Sequence, residues 1–125
     1  MLKILVLCAL MFTVGGALAA EWNLRDSDIP LTEPQVSALT SGQTLTFYDN
    51  GQSKFSVGGA YSYTYANDGG TAFGRFTVKP DGRVCIDFTN GRQRCDLYVK
   101  SGGLLMMITE RGDRFPIRLH LGVKP

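Results

Sequence analysis

The chain has 125 residues, of which 44% are hydrophobic and 19% charged, and its formal net charge is +2. A chain of this size forms one domain rather than two, and a charge so near neutrality argues against nucleic acid or an anionic membrane as a partner. Three cysteines and one histidine are too few to predict a metal site, and no cofactor-binding motif is present.

Residues 1–20 are typical of a cleavable export signal. Lys3 gives a short positive start, residues 4–14 are almost purely apolar, and residues 17–20 supply the small side chains at which a signal peptidase cuts. The apolar run is too short to span a bilayer comfortably, although a retained anchor is the alternative. We therefore expect a single mature domain, residues 21–125, that is periplasmic or secreted and has no stable membrane span.

One short helix is predicted near the start of the mature domain, over residues 31–39. Thr32 can cap this helix, and Gln35, three residues later, completes a capping box. Gly42 can end the helix, because glycine accepts the left-handed backbone of a helix terminus. The helix has one narrow apolar face, so we expect it to lie against a sheet.

From residue 43 onward, short β-branched and aromatic runs alternate with glycine-rich turns. Connections this short join only neighbouring antiparallel strands. The sequence therefore predicts a mainly β fold, an antiparallel meander that either curls into a small barrel or stays a bent sheet with the helix covering one end. About eight strands are predicted, over residues 43–48, 54–57, 60–66, 72–79, 83–89, 92–100, 104–110 and 114–121.

Three tyrosines alternate along the predicted strand 60–66. Because successive side chains of a strand point to opposite faces, Tyr61, Tyr63 and Tyr65 project from the same face. Tyrosine combines an apolar ring with a polar tip, which suits stacking on sugars or flat apolar ligands and also suits protein interfaces. The alternative is that the three rings cover the core. Four phenylalanines are predicted core residues: Phe47, Phe55, Phe73 and Phe76.

The predicted hairpin at residues 83–100 contains the two cysteines that remain after Cys8 leaves with the signal. A two-residue turn would put the sulfurs of Cys85 and Cys95 on opposite faces. A three-residue loop, residues 89–91 with its glycine as a bulge, instead sets the cysteines directly opposite each other and within disulfide range. We prefer this register and predict a structural disulfide, as is usual in an oxidising compartment. The spacing is not Cys-x-x-Cys, so a redox function is not indicated.

Basic residues crowd the same hairpin. Arg83, Arg92 and Arg94 can clamp a carboxylate or phosphate, but three aspartates in the same stretch favour a solvated face with weak ion pairs. The preferred register also sets Ile86 and Phe88 opposite Arg94 and Arg92. We therefore expect both arginine stems to lie along apolar surface with their charged heads in water.

Three segments of the chain, GRFTV at 74–78, DGRVCI at 81–86 and RCDLY at 94–98, are similar to those of a known group of proteins. Together with the export signal and the entry at 31–45, they make the chain resemble the small exported proteobacterial proteins of unknown function of the DUF995 kind. The resemblance covers about the last two thirds of the chain. It implies a Gram-negative envelope setting and no activity.

Two further candidates have plainer explanations. Residues 111–113 spell the adhesion tripeptide Arg-Gly-Asp, which is also ordinary turn chemistry between two strands. His120 is the only histidine, and no nucleophile elbow or metal-binding pattern accompanies it. A hydrolase using His120 is therefore the third of our hypotheses.

The favoured function is that of a noncatalytic exported protein that binds an envelope protein or a small apolar or glycan ligand through one sheet face. Tyr61, Tyr63 and Tyr65 are its predicted contacts, and Arg92 and Arg94 are weaker candidates. The second hypothesis is a small secreted protease inhibitor that inserts a turn into another protein's cleft. No cofactor and no metal are expected.

Overall fold

The computed structural model describes residues 22–122, with the backbone alone for residues 119–122. The predicted export signal and Cys8 lie outside the described residues, as does the side chain of His120. One helix, α1, spans Glu33–Thr40. The strands are β1 (Asp28–Pro30), β2 (Gln43–Phe47), β3 (Gln52–Phe55), β4 (Ala60–Thr64), β5 (Thr71–Val78), β6 (Val84–Phe88), β7 (Gln93–Ser101), β8 (Leu104–Thr109) and β9 (Arg114–Gly122).

Strands β2 to β9 form a closed antiparallel barrel. Each of these strands pairs with the next one along the chain, and β9 returns to pair with β2, which closes the ring. Of the two predicted architectures, the barrel is therefore confirmed and the bent sheet is not. All the predicted strands are present, with ends that differ by one or two residues.

Strand β1 was not predicted from the sequence. Its three residues pair with the second half of β7, where Ile29 lies opposite Lys100. The segment is too short to show an alternating pattern, and its last residue is Pro30, which is unfavourable inside a sheet. Asp28 also ties β1 to β9, because both of its carboxylate oxygens accept hydrogen bonds of 2.7 Å from Arg114.

Helix α1 closes one end of the barrel. It has the predicted capping box, in which the Thr32 hydroxyl accepts from the Gln35 amide and the Gln35 side chain accepts from the Thr32 amide. Val36 is completely buried in the barrel core, and Leu31 and Leu39 pack against the same core. These contacts seal the end at which β2 and β6 begin and leave the opposite end for the cavity described below.

A second apolar cluster lies on the outside of the barrel. Trp22 covers Leu97 and Val99 of β7 and Ile108 of β8, and all four side chains are at most 1% exposed. Asp96 and Tyr98, which point inward from the middle of β7, are also buried, so the segment Asp96–Val99 is buried on both faces. The N-terminal segment therefore extends the core of this small domain beyond the barrel.

One predicted core residue is wrong. Phe73 is 59% exposed, whereas Phe47 and Phe55 are buried and Phe76 packs against the core. Phe73 and Phe76 are three positions apart on β5 and therefore point to opposite faces of the strand. Since Phe76 points inward, Phe73 must point to solvent.

Candidate functional site

The hairpin of β6 and β7 has the predicted three-residue loop. Cys85 pairs with Cys95, and the two sulfurs are 2.02 Å apart, within bonding distance. The Phe88 amide donates to the Arg92 carbonyl, and Gly91 takes a φ of +86°, as the bulge requires. Both cysteines point away from the barrel interior. A bonded pair of this kind is consistent with an oxidising compartment.

The same register decides where Arg94 points. Because Cys85 and Cys95 face outward, the next positions on each strand, Ile86 and Arg94, face the barrel interior. We expected the charged head of Arg94 to lie in water; instead the side chain faces the barrel interior, where about a third of it stays exposed. Closure of the barrel is the physical reason, because it turns one face of every strand into an interior wall.

The other two arginines of the hairpin stay on the surface. Arg83 forms the expected ion pair with Asp81, at 2.7 Å, and both side chains are about one-third to one-half exposed. Arg92 is exposed, and it lines a separate depression of about 450 Å³ beside Gln93 and Glu110 at the barrel rim. Only Arg94 of the three therefore enters the barrel.

Arg94 forms an ion pair with Asp96 inside the barrel. Its Nε donates to Asp96 Oδ2 over 3.0 Å, and the Asp96 side chain is 0% exposed whereas that of Arg94 is 35% exposed. The second oxygen of Asp96 is buried without a hydrogen-bond partner among the described residues. Burial raises the pKa of Asp96 to about 6, although the charge of Arg94 acts in the opposite direction.

A cavity of about 350 Å³ opens at the end of the barrel opposite α1. Arg94 lines it, and its guanidinium carbon lies 5.6 Å from the centre of the Phe88 ring, in cation–π range. Three exposed charged residues, Asp49, Arg111 and Asp113, stand at the rim. The remaining lining is mostly aromatic and apolar: Phe47, Tyr63, Tyr65, Phe88, Met107, Thr109 and Phe115.

The three predicted tyrosines lie in two different environments. Tyr61 is 3% exposed, packs against Phe55 and has its hydroxyl 3.0 Å from Ser53 Oγ. Burial raises the pKa of this phenol. Tyr63 and Tyr65 line the cavity, where their ring centres lie 4.9 Å apart in an edge-to-face arrangement. Tyr61 is therefore a core residue, and the other two belong to the candidate site.

Gly51 allows Tyr63 to take this position. Gly51 is buried in the turn between β2 and β3, and a Cβ added there would collide with the Tyr63 hydroxyl. The amide of Gly51 also donates to Asp49 Oδ1 over 2.8 Å, which fixes the turn at the cavity rim. The absence of a side chain at position 51 thus helps to shape the cavity.

Three of the aromatic walls were not identified from the sequence. Phe47, Phe88 and Phe115 come from β2, β6 and β9, which are far apart in the chain. Each of the three lies near a strand end and points inward, which is a feature that can be read from the sequence. This feature identifies a cavity residue only when it is known which end of the barrel is open.

No family model, curated protein or solved structure matches this chain. The resemblance to exported proteobacterial proteins therefore stays a prediction. The function has to be inferred from the site itself.

The remaining sequence candidates have clear positions. The Arg-Gly-Asp tripeptide forms the turn between β8 and β9, in which Gly112 takes a φ of +86° and its amide donates to the Thr109 carbonyl. The backbone of His120 pairs with Leu45 in the seam that closes the barrel. Within residues 22–122, no group of three His, Cys, Asp or Glu side chains is arranged to hold a metal, and no helix is long and apolar enough to cross a membrane.

Proposed function

We propose that this protein is a noncatalytic, exported binding protein of the periplasm or the extracellular space, and that it holds a small ligand with a flat apolar body in the barrel cavity. The observation that carries the proposal is the cavity of about 350 Å³ between aromatic walls at the open end. Protein sites for small molecules begin at roughly this size and combine apolar walls with a few placed polar groups.

The aromatic walls favour a flat ligand. Phe47 has Tyr63 on one side, at 6.3 Å between ring centres, and Phe115 on the other, at 6.5 Å. Rings at these separations leave faces and edges on which a planar molecule can stack. A ligand bound here covers apolar surface that is otherwise wet, which provides the driving force for binding.

The outer surface is a less suitable binding site for a protein partner than the cavity is for a small ligand. The exposed large apolar side chains outside the cavity include Ile29, Tyr48, Val57 and Phe73, which belong to four different strands or turns. Apolar side chains scattered singly over a surface are normal in monomeric proteins. We therefore prefer the cavity to a sheet face as the binding site.

Binding can be tested with the neutral fluorescent probe N-phenyl-1-naphthylamine. We expect its emission to rise on addition of the mature protein and to return to baseline with the T109W variant, because an indole at Thr109 fills the cavity. T77W is the matched control, because Thr77 is exposed on the outer face of β5. This variant is expected to bind the probe as the natural protein does.

A second variant tests the same cavity independently, in case T109W does not fold. G51A adds a methyl group that displaces the Tyr63 ring, and we expect weaker probe binding with an unchanged circular dichroism spectrum. Equal probe emission for the natural protein, T109W and G51A would contradict the proposed site. The proposed compartment is tested separately, by alkylating the native protein without reductant: a free thiol at Cys85 or Cys95 would contradict it.

A further inference from the structure

Arg94 places a positive charge on the wall of an otherwise largely apolar cavity. One of its five N–H donors goes to Asp96, about a third of the side chain is exposed, and Arg94 lines the cavity. A guanidinium presents its donors in a planar fork that matches a carboxylate. Arg94 can therefore accept a second anionic partner from the side of the cavity.

Asp96 is an imperfect partner for this arginine. Only one of its oxygens is hydrogen-bonded, and the other is buried with no partner among the described residues. A buried carboxylate oxygen without a donor is costly, whereas a protonated carboxyl in the same place carries no charge. A second anion on Arg94 would let Asp96 take up a proton from solvent and keep the local charge balanced.

We propose that the ligand is an acid whose carboxylate pairs with Arg94 and replaces Asp96 as the counterion of that guanidinium. This inference rests on the proposed function, since it names the chemical class of the molecule that occupies the cavity. The flat apolar part lies between the aromatic rings, and the carboxylate contacts the Arg94 guanidinium.

The other ionisable groups around the pair do not replace Arg94 in this role. Tyr61 and Tyr98 lie beside the pair as neutral phenols, because burial raises the pKa of both hydroxyls. Glu110 adds a negative charge that opposes ionisation of Asp96. Tyr63, on the cavity wall, is also neutral, since burial raises its pKa.

The rim charges are less important for recognition than the charge inside. Asp49, Arg111 and Asp113 are exposed, so salt and water screen them. A cationic ligand attracted by the two rim aspartates would meet the positive charge of Arg94 inside the cavity. The arrangement therefore favours an acid over an amine.

Acidification is expected to strengthen binding. The pKa of Asp96 is raised to about 6, so below that value the aspartate is protonated and leaves Arg94 free for the ligand. Above it, each carboxylate that binds must be accompanied by proton uptake. The affinity then falls by up to about tenfold per pH unit.

The test compares two probes of the same shape, 2-naphthoate and the uncharged 2-naphthamide, by isothermal titration calorimetry at pH 5.5 and 7.5. We expect naphthoate to bind about 10- to 100-fold more tightly than the amide at pH 5.5, as a charge-assisted pair predicts. Its affinity should fall at pH 7.5, whereas that of the amide should not change.

Three variants assign these effects to named groups. R94Q should make the two probes bind equally at both pH values. D96N should keep naphthoate binding tight at pH 7.5, because Arg94 then has no competing carboxylate. R75Q is the matched control, since Arg75 is exposed on the outer face of β5, and it should behave as the natural protein does.

The failures of the two proposals are distinguishable. Equal affinity for naphthoate and naphthamide in the natural protein overturns the acid proposal and leaves the cavity as a binding site. Binding of neither naphthalene with continued binding of N-phenyl-1-naphthylamine also overturns it. Failure of all three probes to bind overturns the proposed function together with this inference.

Discussion

Replacing Asp96 with asparagine removes a buried carboxylate from the barrel interior with almost no change of shape. In the natural protein the pKa of this group rises from the usual 3.8 to about 6, because burial disfavours the charged form. The folded state therefore binds a proton more tightly than the unfolded state does. The contribution of Asp96 to stability is fully present below about pH 4 and is lost as the pH rises through 6.

The size of the effect follows from the shift. A difference of about two pKa units corresponds to about 3 kcal/mol in the free energy of unfolding. We expect the stability of D96N, relative to the natural protein, to increase by about this amount between pH 4 and pH 7. Other titrating groups, such as Asp28, are common to both proteins and cancel in the difference.

The assay is urea denaturation at constant ionic strength, followed by the fluorescence of Trp22, the single tryptophan of the chain. D87N is the matched control, because it makes the same substitution at an aspartate that is exposed and outward-facing on β6. A difference between D96N and the natural protein that is the same at pH 4 and pH 7 would refute the reasoning.

Three further predictions concern stability. Replacing Cys85 and Cys95 with alanine should lower the free energy of unfolding by about 2.7 kcal/mol, the chain-entropy value for a sequence separation of 10; an unchanged urea midpoint would contradict this. Asp28→Asn breaks the paired hydrogen bonds to Arg114 and should cost about 2 kcal/mol at pH 7. Because Arg114 holds the pKa of Asp28 far below its usual range, this cost should disappear as the pH falls well below 4, and a pH-independent cost from denaturation curves would exclude the mechanism. Trp22→Ala should cost about 3–5 kcal/mol, measured as the thermal midpoint by circular dichroism, and a shift of less than about 5 °C would show that the outer cluster does not support the barrel.

Local chemistry explains what could be predicted from the sequence. The turns, the capping box at Thr32 and Gln35, and the register that joins Cys85 to Cys95 depend on residues within about ten positions of each other. Each of these features is specified by hydrogen-bonding or backbone preferences of a short segment. The strand pattern follows from the same kind of information.

The features that sequence analysis missed depend on closure of the barrel. Arg94 was expected on a solvated face of the hairpin, because a hairpin considered alone has no interior. Pairing of β9 with β2 creates that interior and turns Arg94 and Asp96 into it. Phe73 shows the same limit, since the choice of inner and outer face on β5 is made by the whole barrel.

The candidate site combines both kinds of information. Tyr63, Tyr65 and Arg94 could be selected as residues of interest from their types and spacing. Their meeting in one cavity required the three-dimensional structure, and so did the contributions of Phe47 and Phe115. From the sequence alone, aromatic residues at strand ends cannot be distinguished from core residues, because the sequence does not show which end of the barrel is open.

Strand β7 is enclosed more completely than its neighbours. It pairs with β6 and then β1 along one edge and with β8 along the other, and Asp96–Val99 has apolar packing on its outer face as well as the barrel interior on its inner face. Backbone amides enclosed in this way exchange their hydrogens with solvent only when the surrounding structure opens. The amides at the centre of β7 should therefore be among the slowest of the domain to exchange, which makes this strand a reporter of global rather than local unfolding.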